Sequence, residues 1–341
     1  LFRSRLSKRA LALIVGTAGS FTVTTTGTPP PTLTLGGDAL PNGVTFAPST
    51  GILSGTPASG TGGTYNLTFT ATNGVPPAAV QNFTLTVNER PVVTDGGTSP
   101  SFTEDGGAVV LDNLLTVTDA NDATLVSATV TITNLVDTGI ETLAATPSGA
   151  LLASDITYTA PTLTISKVGG AALADFQVVL QSVTYNNTSQ NPNITARSIT
   201  FLVNDGAANS NVVTKIVTVT TVNDAPSFTG SNQAVSEDAG AQTVTSWATF
   251  NPGAPAESGQ SVVAYTVSNV SNGALFSTLP AVAIDGTLTY TPAANASGSS
   301  TFDVTVQDDG GTANGGVDTS LALTFTITVG GVNDPPVAGD D

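Results

Sequence analysis

One segment pattern recurs three times along the chain and constrains its fold more than any other feature. Each copy has a strand alternating apolar residues with threonine, a turn with an acid or amide before glycine, a second strand, and a stop reading Asn-acid-x-Pro or its close variant. The copies are residues 65–74 with 83–91, 199–206 with 216–226, and 302–310 with 325–336. Their stops begin at Asn88, Asn223 and Asn333, so they lie 135 and 110 residues apart. Repeats of that length suit one sandwich of about seven strands each.

The strand reading rests on period two. In Phe83-Thr-Leu-Thr-Val, residues 83, 85 and 87 face one way and the threonines the other, and Leu163-Thr-Ile, Leu288-Thr-Tyr and Phe325-Thr-Ile-Thr-Val repeat the pattern. A sheet with one face on a core and one in water has this alternation. Threonine, at 58 of 341 residues, keeps β propensity on the wet face without adding charge. Helical periodicity is weak throughout; the stretch around residues 171–180 suggests one turn. The expected class is all-β, a tandem of antiparallel β-sandwiches.

The boundaries follow from the stops. Residues 14–88, 89–223 and 224–333 read as three sandwiches, residues 1–13 as a disordered leader, and 334–341 as the start of a truncated next repeat. With no methionine to initiate it, the chain reads as an excerpt of something longer.

Charge removes several functions. The sequence has 25 acids against 8 bases, a formal net charge of −17, and four of the bases lie in the first nine residues. Such a surface repels phosphate backbones and anionic membrane, so nucleic acid is not an expected partner. No apolar run approaches the length of a membrane span, and direct membrane insertion is not expected. Without Cys or His, disulfides, Cys/His metal sites and His- or Cys-based triads are excluded.

Longer motifs carry a resemblance. Leu40-Pro-Asn-Gly-Val-Thr-Phe-Ala-Pro-Ser-Thr-Gly-Ile-Leu-Ser-Gly-Thr-Pro57, with Gly-Thr-Tyr-Asn-Leu-Thr-Phe-Thr-Ala-Thr-Asn-Gly74, resembles the bacterial putative-Ig module of the dystroglycan-type cadherin-like kind. Phe102-Thr-Glu-Asp-Gly106, Val117-Thr-Asp-Ala-Asn-Asp122, Val222-Asn-Asp-Ala-Pro226, Ser236-Glu-Asp-Ala-Gly240 and Val332-Asn-Asp-Pro-Pro336 resemble the cadherin-like repeats of large bacterial surface proteins and adhesins. The resemblance implies an extracellular or cell-surface location, no catalysis, and Ca²⁺ between consecutive repeats. Its expected partners are neighbouring repeats of the same chain, with another cell surface, a glycan or a homophilic copy beyond them.

Carried over residue by residue, the resemblance implies three ligand groups. At the first junction they are Glu89, Asp119, Asn121, Asp122 and Asp205; the linker Asn88-Glu89-Arg90 departs from Asn-Asp. At the second they are Glu104, Asp105, Asn223 and Asp224, with Asp308 or Asp309. There the family's Asp-x-Asp is replaced by Asn251-Pro-Gly-Ala-Pro-Ala-Glu257, which leaves the site short of ligands. After the third repeat come Glu237, Asp238, Asn333 and Asp334. Calcium takes six to eight hard oxygen ligands at about 2.4 Å, and acid clusters with linker carbonyls supply them. Each triplet alone is also ordinary turn chemistry, so the weight lies in recurrence at equivalent places.

Two rivals follow from the same residues. Carbohydrate binding, or service as an accessory stalk of an extracellular polysaccharide-active enzyme, needs exposed aromatic platforms. Trp247 and tyrosines 65, 158, 185, 265 and 290 all sit where core or strand-face positions are the default. A lysine crosslink, of the kind some pilus-like sandwiches carry, requires a buried lysine, and Lys167 and Lys215 both read as solvated strand residues.

Overall fold

The computed structural model describes residues 9–333. Three apolar cores are strung along the chain, spanning Leu13 to Val87, Val93 to Val219 and Phe228 to Val329. By contacts the chain divides into two units: one runs up to Phe102 and adds Gly107–Asn187 and Thr195–Val219, and the other holds Thr103–Gly106, Thr188–Ile194 and everything from Thr220. The short segments around Glu104 and Asn191 therefore group with the third sandwich.

The first sandwich has a four-stranded sheet, in the order Ala10–Ile14, Ala79–Asn88, Gly63–Thr72, Thr32–Gly37, facing a three-stranded one of Gly19–Thr22, Ile52–Gly55 and Val44–Ala47. Alternation places Leu67 and Phe69 of one long strand beside Phe83, Leu85 and Val87 of the next, all at most 2% exposed. Phe83 packs on Phe21 and Phe69 with ring centroids 4.9 and 5.3 Å apart. The leader reading needs correction here. Ala10–Ile14 is a strand, pairing parallel to Ala79–Asn88, and Leu13 is 4% exposed in the core. A short apolar run next to four bases resembled a leader, but the unpaired edge of the long hairpin captures it. Residues 1–8 and 334–341, including the proposed truncated repeat, lie outside the described residues.

The second sandwich sets a six-stranded sheet, Ile156–Thr159, Thr162–Ala172, Thr124–Ile132, Arg197–Asn204, Val213–Thr220, Ser101–Thr103, against a three-stranded one of Val109–Val110, Thr184–Asn187 and Glu141–Ala144. Its helix, Leu173–Gln181, is longer than the single turn expected. Phe176, Val179 and Leu180 face the core, and two amides tie the helix to a neighbouring segment. Gln177 Oε1 accepts from Val117 N–H at 2.9 Å, and Gln181 Nε2 donates to Leu115 O at 2.7 Å. Tertiary contacts therefore make a helix that intrinsic periodicity does not announce.

One of the two lysines differs from expectation. Lys167 is 24% exposed and pairs with Asp155 at 2.8 Å, whereas Lys215 is 2% exposed and lies inside the sandwich. The third sandwich repeats the scheme of the first, with Gln233–Ser236 parallel to Leu323–Gly330 and the remaining pairs antiparallel. Trp247 is 5% exposed against Phe325, and its indole donates to Ser231 O at 2.7 Å.

Candidate metal centres

Where the first strand pair ends at Asn88, the chain passes into the second sandwich through Glu89 and Arg90. Asn88 is buried, and its amide donates to Asp205 Oδ2 at 2.8 Å and to Glu89 O at 2.6 Å. The next N–H, that of Glu89, donates to Asn121 Oδ1 at 2.7 Å. Glu89 itself turns back: its Oε1 accepts from Gly60 N–H at 2.7 Å and Gly62 N–H at 3.0 Å. A glutamate at the linker position thus spends one oxygen closing a turn of the first sandwich.

Three aspartates meet beside that linker. Oxygens of Asp119, Asp122 and Asp205 all lie within 4.8 Å of one another. Two of the three are shaped by their own turns. Asp119 Oδ1 accepts from the N–H groups of Asn121 and Asp122, both at 3.0 Å, and Asp205 Oδ1 accepts from Ala207 and Ala208 at 2.6 and 2.7 Å. These backbone bonds fix one oxygen of each, while Asp205 Oδ2 takes the Asn88 amide. Asp119 Oδ2 is buried with no hydrogen-bond partner. Burial, then the charges of Asp119 and Asp205, push the Asp122 carboxyl above its usual range.

The second group repeats this frame with different residues. Glu104 is 3% exposed; Oε2 accepts from Val222 N–H at 3.0 Å, and Oε1 has no partner. Asn223 stands as Asn88 does, its amide donating to Asp308 Oδ1 at 3.1 Å and Val317 O at 2.9 Å. The following N–H, of Asp224, donates to Glu257 Oε1 at 2.8 Å. Glu257 therefore fills the place that Asn121 holds at the first linker. Its other oxygen caps the short 3-10 helix Pro255–Glu257 through Ala254 N–H at 3.1 Å.

The segment that replaces the family's Asp-x-Asp brings other polar side chains to the linker. Residues 251–257, which lack the Asp-x-Asp, carry Glu257 to the linker, and Gln260 follows with Nε2 donating to Asn223 Oδ1 at 2.6 Å. Both side chains line a cavity of about 380 Å³ together with Glu104, Gln190 and Asn223. Neither was among the candidate ligands; the one available signal was an acid at the end of a Pro-initiated turn.

Between the paired alternatives Asp308 and Asp309 the structure discriminates. Asp308 is 2% exposed, with Oδ1 bonded to Asn223 and to Gly310 N–H, and Oδ2 without a partner. Asp309 is exposed and accepts from Ser261 N–H at 2.9 Å in a surface loop. Asp105 is exposed, with φ 58°, and accepts from Gln190 Nε2 at 3.0 Å. Burial first, then surrounding acids, raises the carboxyls of Glu104, Asp224 and Asp308; Glu257 contributes at all three.

The third group is partly placed. Glu237 repeats Glu104: its N–H donates to Gly330 O at 3.1 Å, as that of Glu104 donates to Thr220 O at 2.9 Å. Its Oε1 accepts from Val332 N–H at 2.6 Å. Asp238 and Asn333 are exposed, and Asp334 lies outside the described residues.

The raised carboxyls fix the sign of a pH response. Their folded values exceed their unfolded ones, so the folded state holds the proton more tightly. This contribution grows as pH falls from neutral through the raised values, and is complete below the ordinary carboxylate range. With chelator present, melting temperature is therefore expected to rise from neutral to mildly acidic pH. A steady fall over that interval in thermal melts would contradict it.

Several solved structures are similar to the chain at low identity. Mouse cadherin-23 EC22-24 is 15% identical over 96% of this chain and 97% of that chain, with a TM-score of 0.33. Protocadherin gammaB7 EC3-6 is 13% identical over 96% of this chain and 73% of that chain, with a TM-score of 0.34. The N-terminal eight Ig domains of Down syndrome cell adhesion molecule are 13% identical over 95% and 36%, with a TM-score of 0.39. At such scores these likenesses carry no argument about ligands or partners. No curated protein matches the chain. The family described as "Putative Ig domain" matches residues 7–88, which include the strand at Ala10–Ile14. The chain is thus a tandem of β-sandwiches, of which residues 7–88 match the family described as "Putative Ig domain".

Proposed function

We propose that the chain is a non-catalytic structural and adhesive repeat segment of a large bacterial extracellular or cell-surface protein, with Ca²⁺ bound where one repeat hands over to the next. One observation carries the reading. Four buried side-chain atoms lack a hydrogen-bond partner among the described residues: Glu104 Oε1, Asp119 Oδ2, Gln260 Oε1 and Asp308 Oδ2. All four are oxygens, and all belong to the two linker clusters. A buried acceptor without a partner is costly, and buried carboxylates beside other acids are costlier. A hard divalent cation removes both penalties, and an all-oxygen donor set matches Ca²⁺ better than softer metals.

At the first cluster Asp119, Asp122 and Asp205 would hold the ion; at the second Glu104, Asp308 and Gln260 would, with Asp224 and Glu257 beside them. The ion supplies positive charge. The protein's part is to hold the acids ready, through the turns that occupy one oxygen of Asp119, Asp205 and Asp308. Holding Asp119 and Asp205 together beside Asn88 would also fix the first linker, which otherwise leaves two sandwiches free to move. Partners would be neighbouring repeats, and a surface or second copy beyond them.

The glycan alternative gains nothing from the aromatics. Tyr185, Tyr265, Tyr290 and Trp247 are buried, while the hydroxyls of Tyr65 and Tyr158 donate to Thr61 O and Glu141 O. Thermal melts in millimolar Ca²⁺ and in chelator test the reading. A higher melting temperature with Ca²⁺ is expected, and identical melts would remove calcium from the account.

A further inference from the structure

Lys215 stands where a strand would ordinarily set an apolar residue. Along Val213–Thr220 the buried positions are 213, 215, 217 and 219, and Ile216 is left 51% exposed. The inward ammonium meets two carboxylates, Asp112 Oδ2 at 3.1 Å and Asp95 at closer range. Asp112 is fully buried between Leu111 and Leu115 in sequence, both also fully buried. Its Oδ1 accepts from Leu114 N–H at 3.1 Å and its Oδ2 from Gly96 N–H at 2.9 Å. Gly96 has no room for a side chain, because a Cβ there would collide with Asp112 and with Leu114. Asp95 is 48% exposed, accepts from Gly97 N–H at 2.8 Å, and is held below the usual carboxylate range first by its bond to Lys215.

We propose that Lys215 and Asp112 join in an intramolecular amide crosslink, with Asp95 as the proton carrier. Asp95 takes one proton from the ammonium, and the freed lone pair attacks Cγ of Asp112. The Nζ–Cγ bond forms, the Cγ–Oδ2 bond breaks, and Oδ2 departs as water with two protons, both originally on Nζ. An ammonium and a carboxylate become a neutral amide, and nothing is oxidised or reduced. Leu114 N–H holds the oxygen that stays, where negative charge develops in the tetrahedral intermediate. Fixed proximity replaces a bimolecular encounter, and the half-exposed side of Asp95 gives the water a way out.

The link would tie the three-stranded and six-stranded sheets of the second sandwich together, since Asp112 follows Val109–Val110 of the former and Lys215 belongs to the latter. It closes a loop of about 100 residues and so restrains the unfolded chain as a disulfide would. A chain without cysteine gains a covalent brace this way, and the proposal stands or falls independently of calcium.

Intact-mass and peptide analysis of the denatured full chain tests it. The expected mass is one water below the sequence value. Trypsin should fail to cleave after Lys215, and a branched peptide should join the segments containing Asp112 and Lys215. Lys215→Arg should restore the full mass. Asp95→Asn, at a half-exposed position that spares the core, should fold and accumulate the link far more slowly. Cleavage after Lys215 with no branched peptide would overturn the proposal, even with a water missing, because a succinimide at Asp95-Gly96 also loses one. A branched peptide formed as fully in Asp95→Asn as in the wild type would overturn the role of Asp95.

Discussion

Replacing Glu141 by alanine is expected to destabilise the second sandwich by about 3–5 kcal/mol, the scale for breaking a buried ion pair from one side. Arg197 and Glu141 both have fully buried side chains, joined through Arg197 Nε and Glu141 Oε1. Glu141 Oε1 also accepts from the Tyr185 hydroxyl at 2.7 Å, and Oε2 from Val136 and Asp137 N–H at 3.2 and 3.3 Å. Arg197 reaches Asp137 at 2.8 Å as well, and Asn187 donates to that same carboxylate at 2.7 Å. Alanine would remove a fully buried charge facing Arg197 and strip partners from a tyrosine and two backbone donors. Amide exchange across Arg197–Asn204 reports this sandwich separately from its neighbours. Protection unchanged in Glu141→Ala would contradict the account. Paired replacement of Glu141 and Arg197 by apolar residues is expected to cost far less, because no charge is then left uncompensated.

Asp119→Asn is expected to change sign with calcium. An asparagine keeps the Oδ1 that accepts from Asn121 and Asp122, and sets an amide donor in place of the unpartnered Oδ2, in a cluster with Asp122 and Asp205. In chelator it should therefore match or exceed the wild type. In Ca²⁺ at about a hundred times the dissociation constant, a bound ion stabilises the folded state by about 2.7 kcal/mol, and the variant should forgo much of that. Melts of both proteins in both conditions check it. A variant less stable than the wild type to the same degree in chelator and in Ca²⁺ would mean that Asp119 is turn structure alone.

Much of this was legible in the sequence where a residue's role is set by its neighbours along the chain. Alternation in Phe83-Thr-Leu-Thr-Val gives the strand and its buried face at once, and the Asn-acid stops mark where linkers fall. Asp119, Asp122 and Asp205 stand in motifs that the cadherin-like resemblance singles out, and the structure brings their oxygens within 4.8 Å of one another. Glu257 was not, since its place beside Asp224 depends on how a loop 33 residues away packs, and no local pattern encodes that. Lys215 illustrates a different failure. Its position in Val213-Thr-Lys-Ile-Val already put it on the apolar face, but lysine's usual solvation outweighed the period, and Asp95 and Asp112, which make burial tolerable, are more than 100 residues away. Arg197 was hidden likewise, because its partners Glu141 and Asp137 arrive from another sheet and its adjoining turn.

The most direct test of the central claim, that the linker acids form cation sites, is calorimetric titration of the chelator-treated full chain with CaCl₂ at neutral pH. Saturable binding is expected, weaker at mildly acidic pH as Asp122, Glu104, Asp224 and Asp308 take up protons, and reduced in stoichiometry by Asp119→Asn. Absence of saturable heat or of competition with a calcium indicator up to millimolar Ca²⁺ would contradict the claim and leave the clustered acids as turn structure within a string of sandwiches.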